Sequence, residues 1–419
     1  MHLKSYVTAA LYGLPALASA APPPPSPPSP PHSAVPGGHG ADAAHTKIYE
    51  IKAENITAKL IPHGARLTSL LVPDRDGNPQ DVVVGYDDPH EYLIDSQTTR
   101  SFFGAVVGRY ANRIKNGTFT IDDKTYHVPE NENNGADTLH GGTVGYDMRN
   151  WTVTAHSESS VTFALLDEGF EDFPGDVITH ATFSVSAEKG PSNPKGLPQL
   201  TTKLISISLT EKTPIMLANH IYWNLNAFRE QTVLKDSLQL PLTHRFIGGD
   251  SILIPNGTIH DVETAYGGAL DFTSPKLIGA DIEKTAGLCG ATCTGYDTAF
   301  IIDRPPTSAP NSFDTVLRAE SSSTGITLDV ATNQAAVQIY TCDGQDGTVA
   351  TKESQAKRNK AETGHAGASH INQYGCFVIE TEDWIDGINN PEWGRVPYQI
   401  LGPDDGPAVN WATYQFGTV

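Results

Sequence analysis

The feature that most constrains the fold of this chain is a series of short segments in which apolar and polar residues alternate. The clearest examples are "TKIYEIKAENITAKLIP", "RLTSLLVPD", "DVVVGY", "SSVTFALL", "HATFSVSA", "LISISLTEK", "ITLDVATNQAAVQIYT" and "CFVIETEDW". They are rich in Val, Ile, Thr and aromatic residues, and turn-forming Gly, Pro, Asn and Asp separate them. An alternation with period two between turn signals predicts β-strands. Only "DPHEYL" and "SQAKRNKAE" suggest helices, so we predict an all-β fold, a large antiparallel β-sandwich.

The first 45 residues have the composition of processing and linker segments. Residues 1–20, "MHLKSYVTAALYGLPALASA", combine a basic start, an apolar middle and Ala-Ser-Ala at 18–20, which is typical of a signal peptide. We therefore predict a secreted protein that is cleaved near Ala20. The apolar run is too short to span a bilayer, so we expect no membrane partner. Residues 21–45 are rich in Pro and predict a linker or disordered tail before a single domain over 46–419.

Secretion changes the interpretation of the four cysteines, Cys289, Cys293, Cys342 and Cys376. An oxidising compartment favours disulfides, and four cysteines allow three pairings. We predict Cys289–Cys293, which closes a very short loop, and Cys342–Cys376, which closes a longer one. A zinc site is the alternative, but no histidine lies at finger-like spacing from these cysteines. Four Asn-x-Ser/Thr sequons predict glycosylation of the surface, at Asn55, Asn116, Asn150 and Asn256.

The charge balance limits the classes of partner. The formal net charge of the chain is −20 at pH 7. A protein that binds the phosphate backbone needs a basic face, so we exclude nucleic acid as a partner. An acidic surface favours a neutral or cationic small ligand over an anionic one.

Ionisable residues inside apolar segments are the first candidates for a functional site. His220 lies in "LANHIYWNL", which otherwise predicts a buried strand, and Glu380 lies in "CFVIETEDW". A buried carboxylate is costly unless it is paired or takes part in chemistry. The structural alternatives are a core histidine bonded to a main-chain carbonyl and a salt bridge at the end of a strand.

Three further segments carry polar residues beside glycine or aromatic residues. Asn112 and Arg113 lie in "FFGAVVGRYANRIKNG", where a guanidinium can serve an ion pair or bind a ligand. His140 precedes two glycines in "TLHGGTVGYD", a backbone that can turn sharply and let a ligand approach. Asp297 lies in "TGYDTAF", where an aspartate commonly caps the local backbone. Each of these segments is a weak signal by itself.

Taken together and in this order, the segments resemble the aldose 1-epimerase (galactose mutarotase) family. The resemblance begins with "GARLTSLLVPDRDGNPQDVVVGYDD", continues through "GAVVGRYANRI", "LHGG", "NHIYWNL" and "GYDTAF", and reaches "VIET". It covers the chain from about residue 48 to the C-terminus. It implies a galactose mutarotase-like supersandwich with an open cleft on one sheet. It also implies an isomerase that interconverts the α and β anomers of free hexoses or pentoses, with no cofactor and no metal.

The resemblance gives each candidate residue a role. Glu380 is expected to be the general base and His220 the general acid, acting as a carboxylate and an imidazolium on a pyranose ring. His140 is expected to contact the sugar near the reacting oxygens, and Tyr222 and Trp223 to shape the site. The residues expected to bind sugar hydroxyls or to lie beside them are Arg113, Asp297 and Asn112. The expected partner is a monosaccharide, and the expected state is a monomer or weak dimer.

The chain departs from the family pattern beside the presumed site. Glu382 stands where a Gln is usual, "WIDG" (384–387) replaces a common Pro-Asp-Ala turn, and "YTCDG" (340–344) replaces Tyr-Thr-Gly-Asn. Two polar stretches, 187–199 and 343–373, predict long surface loops, and the second is either a functional flap or a mobile segment. These departures bear on the preferred sugar more than on the reaction.

Three other functions are consistent with parts of this pattern. A non-catalytic carbohydrate-binding protein on the same scaffold has no need of both Glu380 and His220. An epimerase of hexose 6-phosphates needs a cluster of basic residues, which are sparse near these motifs. A glycoside hydrolase can use Glu380 with an aspartate, but the order of the motifs does not match one.

Overall fold

The structure is a computed structural model that describes residues 43–309 and 312–419. The predicted signal peptide and all but the last three residues of the predicted linker lie outside the described residues. The strands are β1 (Tyr49–Ala53), β2 (Ile56–Ile61), β3 (Arg66–Pro73), β4 (Pro79–Asp81), β5 (Ala105–Val107), β6 (Arg113–Lys115), β7 (Thr118–Ile121), β8 (Lys124–His127), β9 (Asp137–Leu139), β10 (Thr152–His156), β11 (Ser160–Glu168), β12 (Asp176–Ser186), β13 (Gln199–Ser208), β14 (Thr213–Pro214), β15 (Ala218–His220), β16 (Tyr222–Trp223), β17 (Ser237–Gln239), β18 (Arg245–Gly249), β19 (Pro255–Asp261), β20 (Lys276–Leu277), β21 (Asp297–Ile301), β22 (Thr315–Glu320), β23 (Ile326–Thr332), β24 (Ala336–Tyr340), β25 (Phe377–Glu382), β26 (Ile400–Leu401) and β27 (Ala408–Thr418).

Helices are short and lie between the strands. The α-helices are α1 (Pro89–Gln97), α2 (Glu353–Thr363) and α3 (Val396–Gln399), and the 3₁₀ helices are Tyr146–Met148, Phe170–Asp172, Ala265–Gly268, Ile282–Thr285, Gly387–Asn389 and Pro391–Trp393. Asp88 caps α1 by accepting a bond from the main-chain N–H of His90, and Pro89 begins the helix. Both predicted helical stretches are therefore confirmed.

Two large antiparallel sheets form the sandwich. One has nine strands in the order β10-β11-β12-β13-β27-β23-β22-β17-β20, and the other has six in the order β16-β25-β24-β21-β18-β19. The ring of Trp223 on β16 lies 5.1 Å from that of Tyr414 and 6.0 Å from that of Phe416, both on β27. Side chains of the two sheets thus meet in one core, and the predicted all-β sandwich is confirmed.

Strand alternation decides which side chains enter this core. Along β12 every second residue is buried, and Val177 and Phe183 belong to the main apolar cluster. Burial of one such side chain contributes roughly 1.5–3 kcal/mol. β25 is buried on both faces, so Ile379 enters the core while Val378 packs in a second cluster on the opposite side.

The segment "DVVVGY" does not form the strand that its sequence predicts. Its strand structure ends at Asp81, although the valines that follow are buried. Val82 donates its main-chain N–H to Leu70 on β3, whereas Val84 donates to Tyr222 on β16. The chain therefore crosses between two sheets and pairs with neither along its length.

The polar stretch 343–373 is neither a free loop nor a flap. It contains α2 and packs through buried polar side chains, among them Gln355 and Asn359. Lys352 donates to Asp81 Oδ2 at 3.1 Å and to the main-chain oxygens of Thr68 and Val83. We call Lys352, Asp81 and α2 the anchor region. It is polar in sequence yet buried, and the side-chain nitrogens of Lys352, Gln355 and Asn359 donate to main-chain oxygens. By contrast, 187–199 is a loop up to the start of β13, as predicted.

The predicted disulfides are confirmed. Cys289 bonds to Cys293 and Cys342 to Cys376, with Cα–Cα distances of 5.3 and 5.5 Å. The second bond joins the two ends of the stretch that contains α2. Because all four thiols are bonded, the zinc alternative does not apply. The four sequon asparagines are exposed, and their glycosylation stays a prediction. Among the described residues, no helix is long and apolar enough to cross a membrane.

Candidate active site

A cleft of about 850 Å³ lies against the six-stranded sheet. The six residues singled out as catalytic or sugar-binding from the sequence all line it, namely Asn112, Arg113, His140, His220, Asp297 and Glu380. These residues come from widely separated parts of the chain. The fold therefore brings the predicted set to one place.

Glu380 is held on the inner strand β25. β25 pairs with β24 without a register shift, and Gln338 of β24 lies opposite Glu380. Alternation turns Glu380 to the cleft while Ile379 and Thr381 face the other sheet, where Thr381 contacts Asn410 of β27. The Glu380 carboxyl is only 3% exposed, and its Oε2 has no hydrogen-bond partner among the described residues. A carboxyl in this state is rigidly placed but chemically available.

His220 ends the short strand β15, which pairs with β5. The main-chain oxygen of His220 accepts a bond from Gly104, which fixes the backbone behind the ring. Its ring lies 5.0 Å from that of Tyr222 and 5.5 Å from that of Phe102. These aromatic neighbours pack against the ring and leave it exposed only toward the cleft.

His220 and Glu380 form the closest acid–base pair in the cleft, with Nε2 3.4 Å from Glu380 Oε1. Burial lowers the pKa of His220 to about 3, and the nearby Arg66 adds to this effect. Burial raises the pKa of Glu380 well above its usual value, and Glu382 and Asp297 raise it further. Burial and the neighbouring charges thus favour a neutral His220 imidazole and a protonated Glu380 carboxyl. The sequence analysis predicted the imidazolium–carboxylate form of this pair. That form differs from the uncharged form only by the transfer of one proton from Glu380 to His220.

His140 is fixed through Asn112 by two hydrogen bonds. The main-chain N–H of Asn112 donates to His140 Nδ1 at 3.1 Å, and the main-chain N–H of His140 donates to the oxygen of Asn112 at 2.9 Å. His140 Nδ1 is therefore an acceptor, so Nε2 carries the proton of the neutral ring. Burial lowers the pKa of His140 well below its usual value, and His220 lowers it further. Gly141 is needed next to it, because a Cβ there would lie 2.0 Å from the oxygen of Gly108.

Arg113 and Asp297 are far apart in sequence but line the same cleft. Glu132 accepts from Arg113 Nε and Nη2 at 2.7 and 2.9 Å, a two-point pair that holds the guanidinium flat. Asp137 lies 3.8 Å from the same guanidinium. Gln338 donates to Asp297 Oδ1, and burial raises the pKa of Asp297 although Arg113 opposes this.

The structure corrects one expected residue and adds others. Trp223 does not shape the site, because strand alternation turns it into the core, where it is fully buried. Tyr222, its neighbour, does line the cleft. No sequence pattern indicated Glu132 or Phe102 as site residues. Glu132 lies in a polar loop that shows no alternation, and its partner is nineteen residues away.

His140, His220 and Glu380 also raise the question of a metal site, since their potential ligand atoms lie within 4.8 Å of one another. A metal-bound histidine normally donates its other ring N–H to an acceptor. His140 Nδ1 instead accepts a bond from Asn112, so its Nε2 keeps a proton and cannot bind a metal while that bond is present. This donor set suits proton exchange and hydrogen bonding better than metal coordination.

Comparison with known proteins agrees with the geometry of the cleft. The sequence profile of one family, Aldose 1-epimerase, matches residues 47–403. The chain belongs to the aldose 1-epimerase family. A fungal member from Arthroderma benhamiae, named "Probable aldose 1-epimerase", is 56% identical over 392 residues, which is 92% of this chain and 89% of that protein.

More distant aldose 1-epimerase relatives cover nearly as much of the chain. A protein named galactose mutarotase from Bos taurus is 29% identical over 85% of this chain and 90% of its own length. A crystal structure described as a GalM/aldose epimerase homologue from C. elegans superposes with a TM-score of 0.72 at 28% identity, covering 89% of this chain and 99% of that chain.

Proposed function

We propose that this protein is an aldose 1-epimerase that interconverts the α and β anomers of free aldoses. The observation that carries the proposal is the Glu380–His220 pair, with 3.4 Å between the carboxyl and the imidazole in a buried cleft. Membership of the family supports the same reaction. The substrates proposed are hexoses such as glucose or galactose, and pentoses.

The reaction needs two proton transfers on opposite sides of one bond. Opening a pyranose ring removes the proton of the C1 hydroxyl and adds a proton to the ring oxygen, and the C1–O5 bond breaks. The resulting aldehyde rotates about the C1–C2 bond and closes on its other face. A pair that holds one proton between its two members performs both transfers, and ring closure restores its original state.

We assign Glu380 as the base toward the C1 hydroxyl and His220 as the acid toward the ring oxygen. The carboxyl–imidazole and carboxylate–imidazolium forms of the pair hold the same number of protons. Sugar hydroxyls that donate to Glu380 stabilise its charged form, because its Oε2 has no hydrogen-bond partner among the described residues. Binding of the sugar therefore moves the shared proton toward His220, which prepares the reacting state.

The other residues hold the sugar in place. His140 presents a protonated Nε2, so it donates a hydrogen bond to a sugar oxygen. Arg113 donates and Asp297 accepts, which together recognise neighbouring hydroxyls. Asn112 lies between Arg113 and His140 and keeps both in register.

The cleft does not fit a phosphorylated sugar. Two arginines line it among the described residues, Arg100 and Arg113. Arg100 donates to both carboxylate oxygens of Asp147, and Arg113 donates to both oxygens of Glu132. A phosphate would find no unpaired cation among these residues, which favours free aldoses over hexose 6-phosphates.

The protein is also proposed to be secreted. The Ala-Ser-Ala sequence at 18–20, two disulfides and four exposed sequons support this location. N-terminal sequencing of protein recovered from the culture medium would place the first residue near 21. Protein retained inside the cell with Met1 still at its N-terminus would argue against secretion.

The function is tested by polarimetry on freshly dissolved α-glucose, α-galactose and α-xylose. The purified protein should speed the approach to the equilibrium rotation with at least one of these sugars. The Glu380→Gln protein serves as the control for binding without catalysis. If the wild type binds sugar but leaves the spontaneous rate unchanged, the protein is a carbohydrate-binding relative rather than an enzyme.

A further inference from the structure

Glu382 lies two residues beyond Glu380, and the reaction described above does not use it. Strand alternation places the two side chains on the same face of β25. Glu382 is fully buried. Its Oε1 accepts from Asn112 Nδ2 at 2.8 Å, and its Oε2 has no hydrogen-bond partner among the described residues. It therefore lies behind the cleft and reaches the site through Asn112.

Asn112 connects Glu382 to two residues that face the sugar. Its amide nitrogen donates to Glu382, while its amide oxygen accepts from Arg113 Nη1 at 3.4 Å. Its main-chain N–H donates to His140. An acceptor at residue 382 thus fixes which way the Asn112 amide points.

The charges around Glu382 are mostly negative. The titratable and charged groups that face it are Glu380, Asp383, Asp297, Arg113 and Tyr110. Arg113 is engaged by Glu132, and Asp383 by Arg395. Burial, opposed by the Asn112 bond, raises the pKa of Glu382 to about 8. Glu382 consequently holds a proton at neutral pH.

We propose that Glu382 is a positioning residue of the epimerase reaction, which directs the Asn112 side-chain amide toward Arg113 and, when it ionises, places a second negative charge beside Glu380. This inference rests on the proposed function. An ionised Glu382 on the same face makes Glu380 hold its proton to higher pH. Glu382 therefore sets how far toward alkaline pH the Glu380–His220 pair keeps the one proton that the reaction uses.

Two substitutions separate the two effects. Glu382→Gln keeps an acceptor oxygen toward Asn112 but cannot ionise. Glu382→Met keeps the length of the side chain but has neither an acceptor oxygen nor an ionisable group. For Glu382→Gln we expect a KM within about twofold of that of the wild type. The limb of the pH–rate profile that reports loss of the Glu380 proton should lie at lower pH than in the wild type, by about half a unit or more. For Glu382→Met we expect about tenfold or greater loss in kcat/KM, because the Asn112 donor is left unpaired. Glu392→Gln, at an exposed glutamate, is the control.

A second readout does not depend on activity. The pKa of Glu382 is raised from 4.5 to about 8 on folding, so the folded state binds more protons between these values and its stability falls as pH rises. Glutamine lacks this effect. The Tm of Glu382→Gln should therefore rise relative to the wild type between pH 5 and pH 8.

The outcomes distinguish the two proposals. An active wild type whose profile is the same in Glu382→Gln, or a Tm difference that does not grow with pH, overturns the role of Glu382. A wild type that mutarotates none of the aldoses overturns the proposed function, and the positioning role with it. A pH–rate profile whose Glu380 limb is shifted in Glu382→Gln, together with a Tm difference that grows with pH, supports the positioning role of Glu382.

Discussion

The anchor region and the cleft both contain buried carboxyl groups, but the carboxyl of the anchor region is paired with a cation and those at the cleft are not. Lys352 and Asp81 have side chains only 1% exposed and face each other at 3.1 Å. Asp81 also accepts from the hydroxyl of Ser69. At the cleft, Glu380 in its lining and Glu382 behind it are also buried, and no lysine or arginine among the described residues forms an ion pair with either of them.

This difference separates a structural from a chemical use of buried charge. A buried charge that meets its partner and forms hydrogen bonds recovers part of its desolvation cost, and removal of one partner leaves the other charge uncompensated. A buried carboxyl without a cation instead shifts its pKa, which places its proton exchange near neutral pH. In the cleft, ionisable groups also keep atoms without a hydrogen-bond partner among the described residues, namely Glu380 Oε2 and His220 Nδ1. The two regions should therefore respond differently when a charge is removed.

The largest effect is expected from Glu380→Gln. It removes the proton acceptor but keeps the shape, so mutarotation should fall by about 10²–10⁴-fold, the usual contribution of a positioned acid–base group. Sugar binding should be preserved, because no cation loses its partner. The Tm should not fall and should rise above about pH 5, because glutamine replaces a carboxyl whose pKa is raised on folding. Polarimetry and isothermal calorimetry on the same protein measure both. A rate within about tenfold of the wild type would exclude Glu380 as the base.

His220→Asn should lose about 10²-fold or more of the rate, since the variant has no group to protonate the ring oxygen. Stability should fall less than for a core cavity, because the ring lines an open cleft and solvent can replace it. Thermal unfolding and turnover per folded molecule are the measurements. A variant that unfolds yet turns over normally when folded would make His220 a structural core residue.

Lys352→Met should lower stability strongly and activity little, which is the opposite of what we expect for the cleft variants. It leaves Asp81 buried without a counter-ion, so the free energy of unfolding should fall by about 3–5 kcal/mol. The rate per folded molecule should stay near that of the wild type, because Lys352 does not line the cleft. Urea unfolding tests the first point and polarimetry the second. The double variant Lys352→Met/Asp81→Asn should recover part of the loss, and no recovery would show that the pair is not an ion pair in solution.

The smallest effect concerns stability as a function of pH. Burial raises the pKa of Asp343 to about 8 and of Asp386 to about 7, so these groups bind protons on folding and stability falls as pH rises from about 4 toward 8. Burial lowers the pKa of His63 to about 3, so stability also falls as pH drops below about 6.5. The Tm should be highest near pH 5–6 and decline by a few degrees toward pH 8. A Tm that rises steadily above pH 6.5 would contradict the placement of these protons.

The sequence predicted the parts of the molecule that depend on local pattern. Alternation identified the strands, and an ionisable residue inside an apolar run identified His220 and Glu380. These signals are strong because burial of such a residue is costly and needs a reason. The order of the motifs then brought Arg113, His140 and Asp297 into the same hypothesis.

The features that the sequence did not reveal depend on contacts between distant segments. Lys352 lies in a polar stretch that indicates a surface loop, and only its pairing with Asp81, 271 residues away, explains its burial. Trp223 was assigned to the wrong face because a two-residue strand gives too little alternation. The raised pKa of Glu380 follows from its burial in the folded chain and then from neighbours such as Glu382 and Asp297, which no local pattern encodes.

The most direct test of the uncharged Glu380–His220 pair is the protonation state of His220, followed by nitrogen-15 NMR of its ring between pH 5 and 8. We predict a neutral imidazole over this whole range in the sugar-free protein, since burial lowers its pKa to about 3. Addition of an aldose should move the signal toward the protonated form in the wild type but not in Glu380→Gln. An imidazolium signal at pH 6 to 7 without sugar would contradict the shared-proton pair and restore a fixed ion pair between His220 and Glu380.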